Sequence, residues 1–240
     1  MQWRDEGFVI GARRHGETSA LIELMTRAHG RHLGLVRGGA SKSIRVALQP
    51  GNDVDAVWRA RLPDQLGVFV VEPVRTRAAA LIDHGHALHG VGHLCALLRL
   101  LPERDPHPEI CEMARAIADV LVVKERAPAL LAHFEIALLS ALGFGLDLET
   151  CALTGARDDL VYVSPKSGRA VSREAGSPWR AKLLAFPAFL RGEPCASTPS
   201  GEELAAAFRL TGHFLRRDVF DPRGAPMPHA RELYVKAVTA

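Results

Sequence analysis

The spacing of apolar residues changes near residue 78, and this change divides the chain into two parts. Before it, short apolar runs rich in β-branched residues are separated by turn-like residues such as Leu62-Pro63-Asp64. After it, apolar residues recur every three or four positions, the spacing of amphipathic helices. We therefore expect a multidomain α+β protein, with a β domain at 1–78 and an α-helical domain at 79–240.

Five short strands without a long helical pattern among them predict a small closed β domain at 1–78. An OB-type barrel is the simplest candidate, and an SH3-like barrel fits the same pattern. The expected strands are Gly7–Arg14, Ala20–Thr26, Arg31–Val36, Asp53–Ala60 and Gln65–Glu72.

The second part is expected to be helical apart from one insert at about 148–176, which is short, Gly-rich and locally β-like. Prolines bound several of these helices, because proline breaks a helix interior but fits its first turn. The helical spans are Ala79–Leu101, Glu109–Val123, Leu130–Leu142, at least part of Pro178–Leu190, Ser200–Phe220 and Ala230–Val238.

The composition is that of a folded globular protein, with 48% hydrophobic and 24% charged residues. No run approaches 18 apolar residues and the start lacks a signal peptide, so we expect no membrane partner. Four cysteines without paired spacing fit a reducing cytoplasm.

Positive charge is concentrated in the first part of the chain. Residues 1–78 carry 12 Lys/Arg against 8 Asp/Glu, a net of +4, and the remaining 18 against 19 give −1. Between Arg27 and Arg45 there are five basic residues and no acidic one. This asymmetry favours a polyanion-binding face, although an ordinary solvated surface has the same pattern.

The connection Arg37-Gly38-Gly39 lies within this basic run and resembles a phosphate-binding loop only in part. It lacks the glycine spacing of a Walker A motif. A Gly-Gly turn beside Lys42 and Arg45 can still present N–H groups and cations to a phosphodiester. A flexible, solvated hairpin loop is an equally good interpretation.

Four histidines, His84, His86, His89 and His93, raise the alternative of a metal-dependent hydrolase using residues 84–93. Zinc enzymes with a pair like His89 and His93 require a His-Glu-x-x-His motif, which is absent. Surface or helix-packing histidines are therefore the better interpretation. Because no other catalytic motif is present, we expect a protein that is not an enzyme and needs no cofactor.

Three segments carry a resemblance to a known family: Gly143–Leu148, Cys151–Gly155 and Val161–Gly168. Together with the segments 16–21, 24–30, 37–45 and 48–50, they resemble the RecO family of bacterial DNA repair proteins. The resemblance covers the full chain, and it is the combination of segments that is specific.

Many RecO-like proteins carry two Cys-x-x-Cys pairs around a hairpin in the region of the insert, which implies a zinc ribbon. Here the four ligand positions are Cys151, Thr154, Ser172 and Ala175. One thiolate does not make a closed tetrahedral site, so we expect a degenerate, zinc-free insert. Side-chain packing and turn hydrogen bonds are expected to hold it, through Leu153, Leu160, Tyr162, Val163 and Val171, with Thr154 and Ser164.

The resemblance implies an N-terminal OB-fold, a helical C-terminal domain and a cytoplasmic, nucleoid-associated recombination mediator. Such proteins bind single- and double-stranded DNA, anneal complementary strands, and with RecR help load the RecA recombinase onto DNA coated by single-strand-binding protein. A protein-interaction scaffold without nucleic-acid contact is the competing hypothesis. The expected DNA-binding residues are Arg31, Arg37, Lys42 and Arg45, followed by Arg13, Arg14 and Arg27.

The resemblance also implies a helical-domain pocket for the acidic, apolar tail of single-strand-binding protein. Such a tail needs an apolar pocket with cations at its rim. Candidate cations are Lys124, Arg126, Arg216 and Arg217, and their alternative role is to complement helix dipoles.

Overall fold

The structure is a computed structural model that describes residues 1–62, 64–191 and 198–240. The chain divides into two compact units, Met1–Val122 and Val123–Ala240. The first unit includes three helices that follow the barrel, and the two longer ones, at 85–98 and 108–120, pack with its strands. The domain boundary at residue 78, which follows the change of period, stays a prediction.

Five strands of the first unit form a closed barrel in the order β1-β2-β3-β5-β4. All neighbours are antiparallel except β3 and β5, which pair in parallel at Leu35–Val68 and Val36–Phe69. This five-stranded arrangement is the OB-fold, and it confirms the expected fold class. The strands are β1 (Gln2–His15), β2 (Ser19–Thr26), β3 (Gly30–Val36), β4 (Asp53–Arg59) and β5 (Val68–Arg75).

The barrel forms because each strand turns alternate side chains toward one interior. Along β3, fully buried positions alternate strictly with half-buried ones, the period expected for a strand with one face in the core. The core of the barrel contains Val9, Ala20, Ile22, Leu24, Val36, Leu48, Val54, Ala56, Trp58 and Phe69.

The connection from β3 to β4 contains the short helix α1 (Lys42–Ala47), which the sequence did not predict. Three further helices complete the first unit: α2 (Ala78–Ile82), α3 (Gly85–Leu98) and α4 (Pro108–Val120). The prediction of a single helix at Ala79–Leu101 is therefore wrong. The chain breaks it at His84, whose backbone is extended.

The second unit contains the helices α5 (Ala127–Ala141), α6 (Arg173–Gly176), α7 (Gly201–Phe214) and α8 (His229–Thr239). A π-helical turn extends α7 to Phe220. The capping box at Ser200 and Glu203 begins α7, as the acidic first turn predicted. The insert contributes a small sheet of order β7-β6-β8, formed by Leu160–Val163 (β6), Ala170–Ser172 (β7) and Leu184–Ala185 (β8).

The helix expected at Pro178–Leu190 is not an α-helix. Two 3₁₀ turns, Ser177–Lys182 and Ala188–Arg191, flank β8 instead. β8 pairs with β6 at Tyr162 and Val163, and this pairing holds the segment extended. Within the described residues, no helix is long and apolar enough to cross a membrane.

Candidate nucleic-acid interface

Strand register brings several of the predicted DNA-binding cations to one end of the barrel. Arg14 on β1 lies opposite Ala20 on β2, and Ala20 lies opposite Val36 on β3. Arg37 directly follows Val36, and α1 with Lys42 and Arg45 comes next in the connection. The predicted residues at this end, which we call the basic end, are Arg13, Arg14, Arg37, Lys42 and Arg45.

Arg27 and Arg31 lie toward the opposite end of the barrel, although they belong to the same basic run. Arg27 follows β2 at the turn where Thr26 pairs with Gly30. β3 then runs seven residues to Val36, a distance of about 20 Å. Arg31 is also engaged internally: Nη1 lies 2.6 Å from Glu23 Oε1, and Nε donates to the Leu101 carbonyl at 2.9 Å.

The buried side chain of Asn52 fixes α1 at the basic end. Its Nδ2 donates to the carbonyls of Val46 and Ala47 at 2.9 and 3.2 Å, at the C-terminal end of α1. Its Oδ1 accepts from the backbone N–H groups of Arg77 and Ala78 at 2.8 and 3.0 Å. Asn52 therefore ties the cation-bearing helix to the segment that follows the barrel.

Two grooves border α1. The first, which we call the basic groove, has a volume of about 300 Å³ and is lined by Arg13, Arg14 and Arg45, with Glu17 as its only acid among the described residues. Arg14 donates to the carbonyls of Gly16 and Glu17 at 3.1 and 3.0 Å, so it also holds the β1–β2 turn.

The second groove follows the short seam where β3 and β5 pair, and we call it the β3–β5 groove. It has a volume of about 480 Å³. Its cations are Arg37 and Arg59, and no acidic residue lines it in the described part of the chain. Sequence reasoning missed Arg59, which the β4–β5 pairing brings to this seam opposite Val68. The remaining lining residues are apolar: Val36, Ile44, Ala60, Val68, Phe69, Val70 and Val71.

The cations of the two grooves are free to meet an external anion. Four of the cations that line the grooves, and Lys42 on the neighbouring α1, are exposed. None of these five forms an ion pair with any residue of 1–62, 64–191 or 198–240: Arg13, Arg37, Lys42, Arg45 and Arg59. By contrast, Arg4, Arg31, Arg77, Arg99 and Arg115 in the same unit all lie beside carboxylates. The basic end therefore carries cations that form no ion pair with the described residues of their own unit.

The barrel aromatics do not form an exposed stacking platform. Trp58 and Phe69 are buried, and Trp3 stacks on His29 with ring centroids 4.0 Å apart. His32 is enclosed among them; burial, together with the nearby Arg104 and His29, lowers its pKa to about 4. The ring is therefore neutral at pH 7 and belongs to the core.

In the second unit, one of the four tail-pocket candidates, Arg216, lines a cavity formed by described residues. This cavity, which we call the α7–α8 pocket, has a volume of about 550 Å³. Arg217 donates to the Pro165 and Lys166 carbonyls and pairs with Asp218, so it is occupied. Lys124 and Arg126 are exposed and do not line the pocket. Its lining is Leu184, Ala205, Phe208, Arg209, Gly212, His213, Arg216, Arg231 and Val235.

The degenerate insert is held by hydrogen bonds around one thiol. Cys151 Sγ accepts from the Ser172 N–H at 3.3 Å and lies 3.5 Å from Ser172 Oγ. Burial raises the pKa of Cys151, but hydrogen bonds with Ser172 and Thr154 outweigh it, and the pKa falls to about 6. Leu153 is 65% exposed, so its expected packing role is wrong, because it sits on the turn.

Packing of the insert otherwise follows the sequence expectation. Leu160, Val163 and Val171 are buried, and the hydroxyls of Thr154 and Ser164 accept turn hydrogen bonds. Within the described residues, no cluster of three His, Cys, Asp or Glu side chains could hold a metal, and this includes residues 84–93.

Comparisons with known proteins match both parts of the chain. A family model described as "Recombination protein O N terminal" matches residues 1–77, and one described as "Recombination protein O C terminal" matches residues 83–226. Among curated proteins, "DNA repair protein RecO" of Methylocella silvestris is 56% identical over 98% of this chain and 95% of its own length. The protein of the same name from Methylobacterium nodulans is 55% identical over 100% of this chain and 99% of its own length. That from Rhizobium etli is 56% identical over 99% of this chain and 92% of its own length. The chain belongs to the RecO family.

Proposed function

We propose that this protein is a DNA repair and recombination mediator that binds single- and double-stranded DNA at the basic end of its barrel. The observation that carries the proposal is the group of exposed cations there that form no ion pair with the described residues. Full-length similarity to proteins named "DNA repair protein RecO" supports the same role.

Binding at this end would be directed at the phosphate backbone. Arginine and lysine side chains neutralise phosphates and release counterions without reading bases, so affinity is sequence-tolerant and falls steeply with salt. We expect the primary contacts with DNA phosphates to come from Arg13, Arg37, Lys42 and Arg45. Arg14 is a secondary contact because it already holds a turn. We exclude Arg27 and Arg31 from the proposed phosphate contacts, because both lie toward the opposite end of the barrel and Arg31 is paired with Glu23.

Strand annealing would follow from the same charge. Two DNA strands repel one another through their phosphates, and a cationic surface that neutralises part of both lowers that repulsion. The protein would promote pairing by binding alone, as expected for a chain in which no catalytic motif is found. Together with RecR, it would help load the RecA recombinase onto DNA coated by single-strand-binding protein, in the cytoplasm and at the nucleoid.

Changing Arg37, Lys42 and Arg45 together to alanine should weaken binding of a labelled single strand about tenfold at 0.15 M salt. Since each lost phosphate contact on single strands reduces the salt slope by about 0.7, the slope should fall by about 2. Fluorescence anisotropy across a salt series measures both quantities. The annealing rate of complementary oligonucleotides should fall in parallel.

A second triple variant controls for net charge. Arg157, Arg180 and Lys182 are exposed in the second unit and form no ion pair with described residues. Their replacement by alanine removes the same charge but should change DNA affinity much less. If the basic-end triple is folded and keeps wild-type affinity and slope, DNA is not bound there.

We further propose that the α7–α8 pocket receives the acidic tail of single-strand-binding protein. Half-buried apolar residues such as Leu184 and Val235 would receive the tail's apolar side chains. Arg209 and Arg216 are exposed at this pocket, and no acidic residue of the described chain lines it. This combination matches the chemistry of an acidic, apolar peptide.

Replacing Arg209 and Arg216 with glutamate should reduce binding of a synthetic acidic-tail peptide by tenfold or more, because each cation becomes a repelling charge. Isothermal titration calorimetry at low salt measures the affinity for the peptide. The same exchange at Lys124 and Arg126, which do not line the pocket, serves as the control. Equal loss in both pairs would show that only net charge matters.

A further inference from the structure

The β3–β5 groove differs from the basic groove in its chemistry. Its surface is apolar, with the side chains of Ile44 and Val70 contributing, and its only charges in the described chain are the guanidinium groups of Arg37 and Arg59. A volume of about 480 Å³ lies in the range of small-molecule sites. Such a groove suits a planar, largely apolar group that is covalently joined to an anion.

The open edge of β5 adds a small polar element to this groove. β5 pairs with β3 only at Val68 and Phe69, so the rest of this edge has no strand partner among the described residues. The Gly67 carbonyl accepts from Leu35 N–H at 3.1 Å. Because backbone groups alternate along a strand, Val71 and Pro73 face the same side as Gly67.

Pro73 makes an added peptide strand an unfavourable occupant of this edge. Proline carries no N–H, so an extended peptide beside β5 would lose the ladder hydrogen bond at that position. Proline at an exposed edge is a common way to block strand addition. Val71 still presents one N–H and one C=O, which is enough to meet the edge of a single planar polar ring.

We propose that the β3–β5 groove holds one unpaired nucleobase of single-stranded DNA, with the flanking phosphates on Arg37 and Arg59. This inference rests on the DNA-binding function proposed above and adds a base-accepting subsite to it. In a duplex, each base is stacked on its neighbours and paired along its edge, so it cannot enter the groove. The subsite therefore distinguishes an unpaired strand from a duplex, which phosphate contacts alone do not.

The test compares two labelled oligonucleotides of equal length, one of thymidines and one of abasic residues with the same phosphodiesters. If a base enters the groove, the wild-type protein binds the thymidine strand about fivefold tighter than the abasic one. Arg59→Ala lowers affinity for both strands to the same extent, because both carry the phosphate that Arg59 contacts. Fluorescence anisotropy at fixed salt gives all these ratios.

A matched pair of variants on β5 isolates the groove. Val70 is 55% exposed and lines it, whereas Val74 is 52% exposed on the same strand and does not. Val70→Glu places a carboxylate in the groove and should abolish the preference for the thymidine strand. Val74→Glu makes the same charge change and should keep that preference.

The outcomes separate this inference from the function on which it rests. Equal wild-type affinity for the two strands, or an equal effect of Val70→Glu and Val74→Glu, overturns the base subsite and leaves phosphate binding intact. A wild-type protein that binds neither strand overturns the DNA-binding proposal itself, and the base subsite with it.

Discussion

Replacing Glu135 with alanine should lower the free energy of unfolding of the unit 123–240 by about 3–5 kcal/mol. Glu135 is fully buried, and its carboxylate binds the Arg231 guanidinium through two contacts of 2.8 and 3.0 Å. Removing the carboxylate leaves the buried Arg231 cation without its counter-charge, and burial of an unpaired ion is far more costly than loss of one hydrogen bond.

The surrounding contacts explain why the chain cannot relax easily after this change. Thr211 donates to the Glu135 carboxylate, and Arg231 Nη2 also donates to the Phe208 carbonyl at 2.8 Å. The pair therefore connects α5, α7 and α8. A Cβ on Gly212 would lie 2.8 Å from Arg231 Nη1, so the guanidinium occupies space that only glycine leaves open.

The cost is best measured by hydrogen exchange, peptide by peptide across the second unit, because the two units need not unfold together. Asp147→Ala provides the control: it breaks a pair with Arg169 of similar length, 3.0 Å, in which both side chains are about half exposed. An exposed pair contributes less than about 1 kcal/mol.

A double change of Glu135 to Leu and Arg231 to Met removes both charges and should recover most of the stability. If Glu135→Ala costs no more than Asp147→Ala, the buried pair is not a main support of this unit.

The fold could be predicted from the sequence wherever one local pattern decided the structure. Short apolar runs between turn-like residues identified the barrel strands, and Ser200 with Glu203 identified the start of α7. The prediction failed where the shortness of an element, or its pairing with another strand, decided the structure. The six residues of α1 are too few for a helical period to be recognised, and β8 is extended because β6 pairs with it.

The candidate site was predictable in its charge but not in its geometry. The basic run from Arg27 to Arg45 predicted a site around β3, yet a seven-residue strand separates the two ends of that run. Arg59 lies outside the run and reaches the groove only through the β4–β5 register. Contacts between strands are set by register, which a single sequence does not reveal.

The site also depends on Asn52, a polar residue with no recognisable motif around it. Asn52→Ala should lower the free energy of unfolding of the unit 1–122 by about 3 kcal/mol, since buried backbone groups left without partners cost about 1–3 kcal/mol each. Asn52 is 1% exposed and satisfies three such buried groups, the N–H groups of Arg77 and Ala78 and the carbonyl of Ala47. Hydrogen exchange, followed peptide by peptide across the first unit, measures the loss.

Gln49→Ala is the matched control for this change. Gln49 also donates from a side-chain amide to α1, through the Arg45 carbonyl at 3.0 Å, but this hydrogen bond is exposed. Because water can replace an exposed partner, the control should cost less than about 1 kcal/mol. Similar costs for both variants would mean that Asn52 does not anchor the helix.

The same variant links the stability of α1 to function. Lys42 and Arg45 are exposed on a helix of six residues, which is too short to be stable without tertiary contacts. When Asn52 no longer holds the end of α1, these cations lose their fixed positions, and ordering them on DNA adds to the cost of binding. Asn52→Ala should therefore bind single strands more weakly at a temperature where the barrel stays folded. An unchanged affinity would show that α1 is fixed without Asn52, or that its cations do not contact DNA.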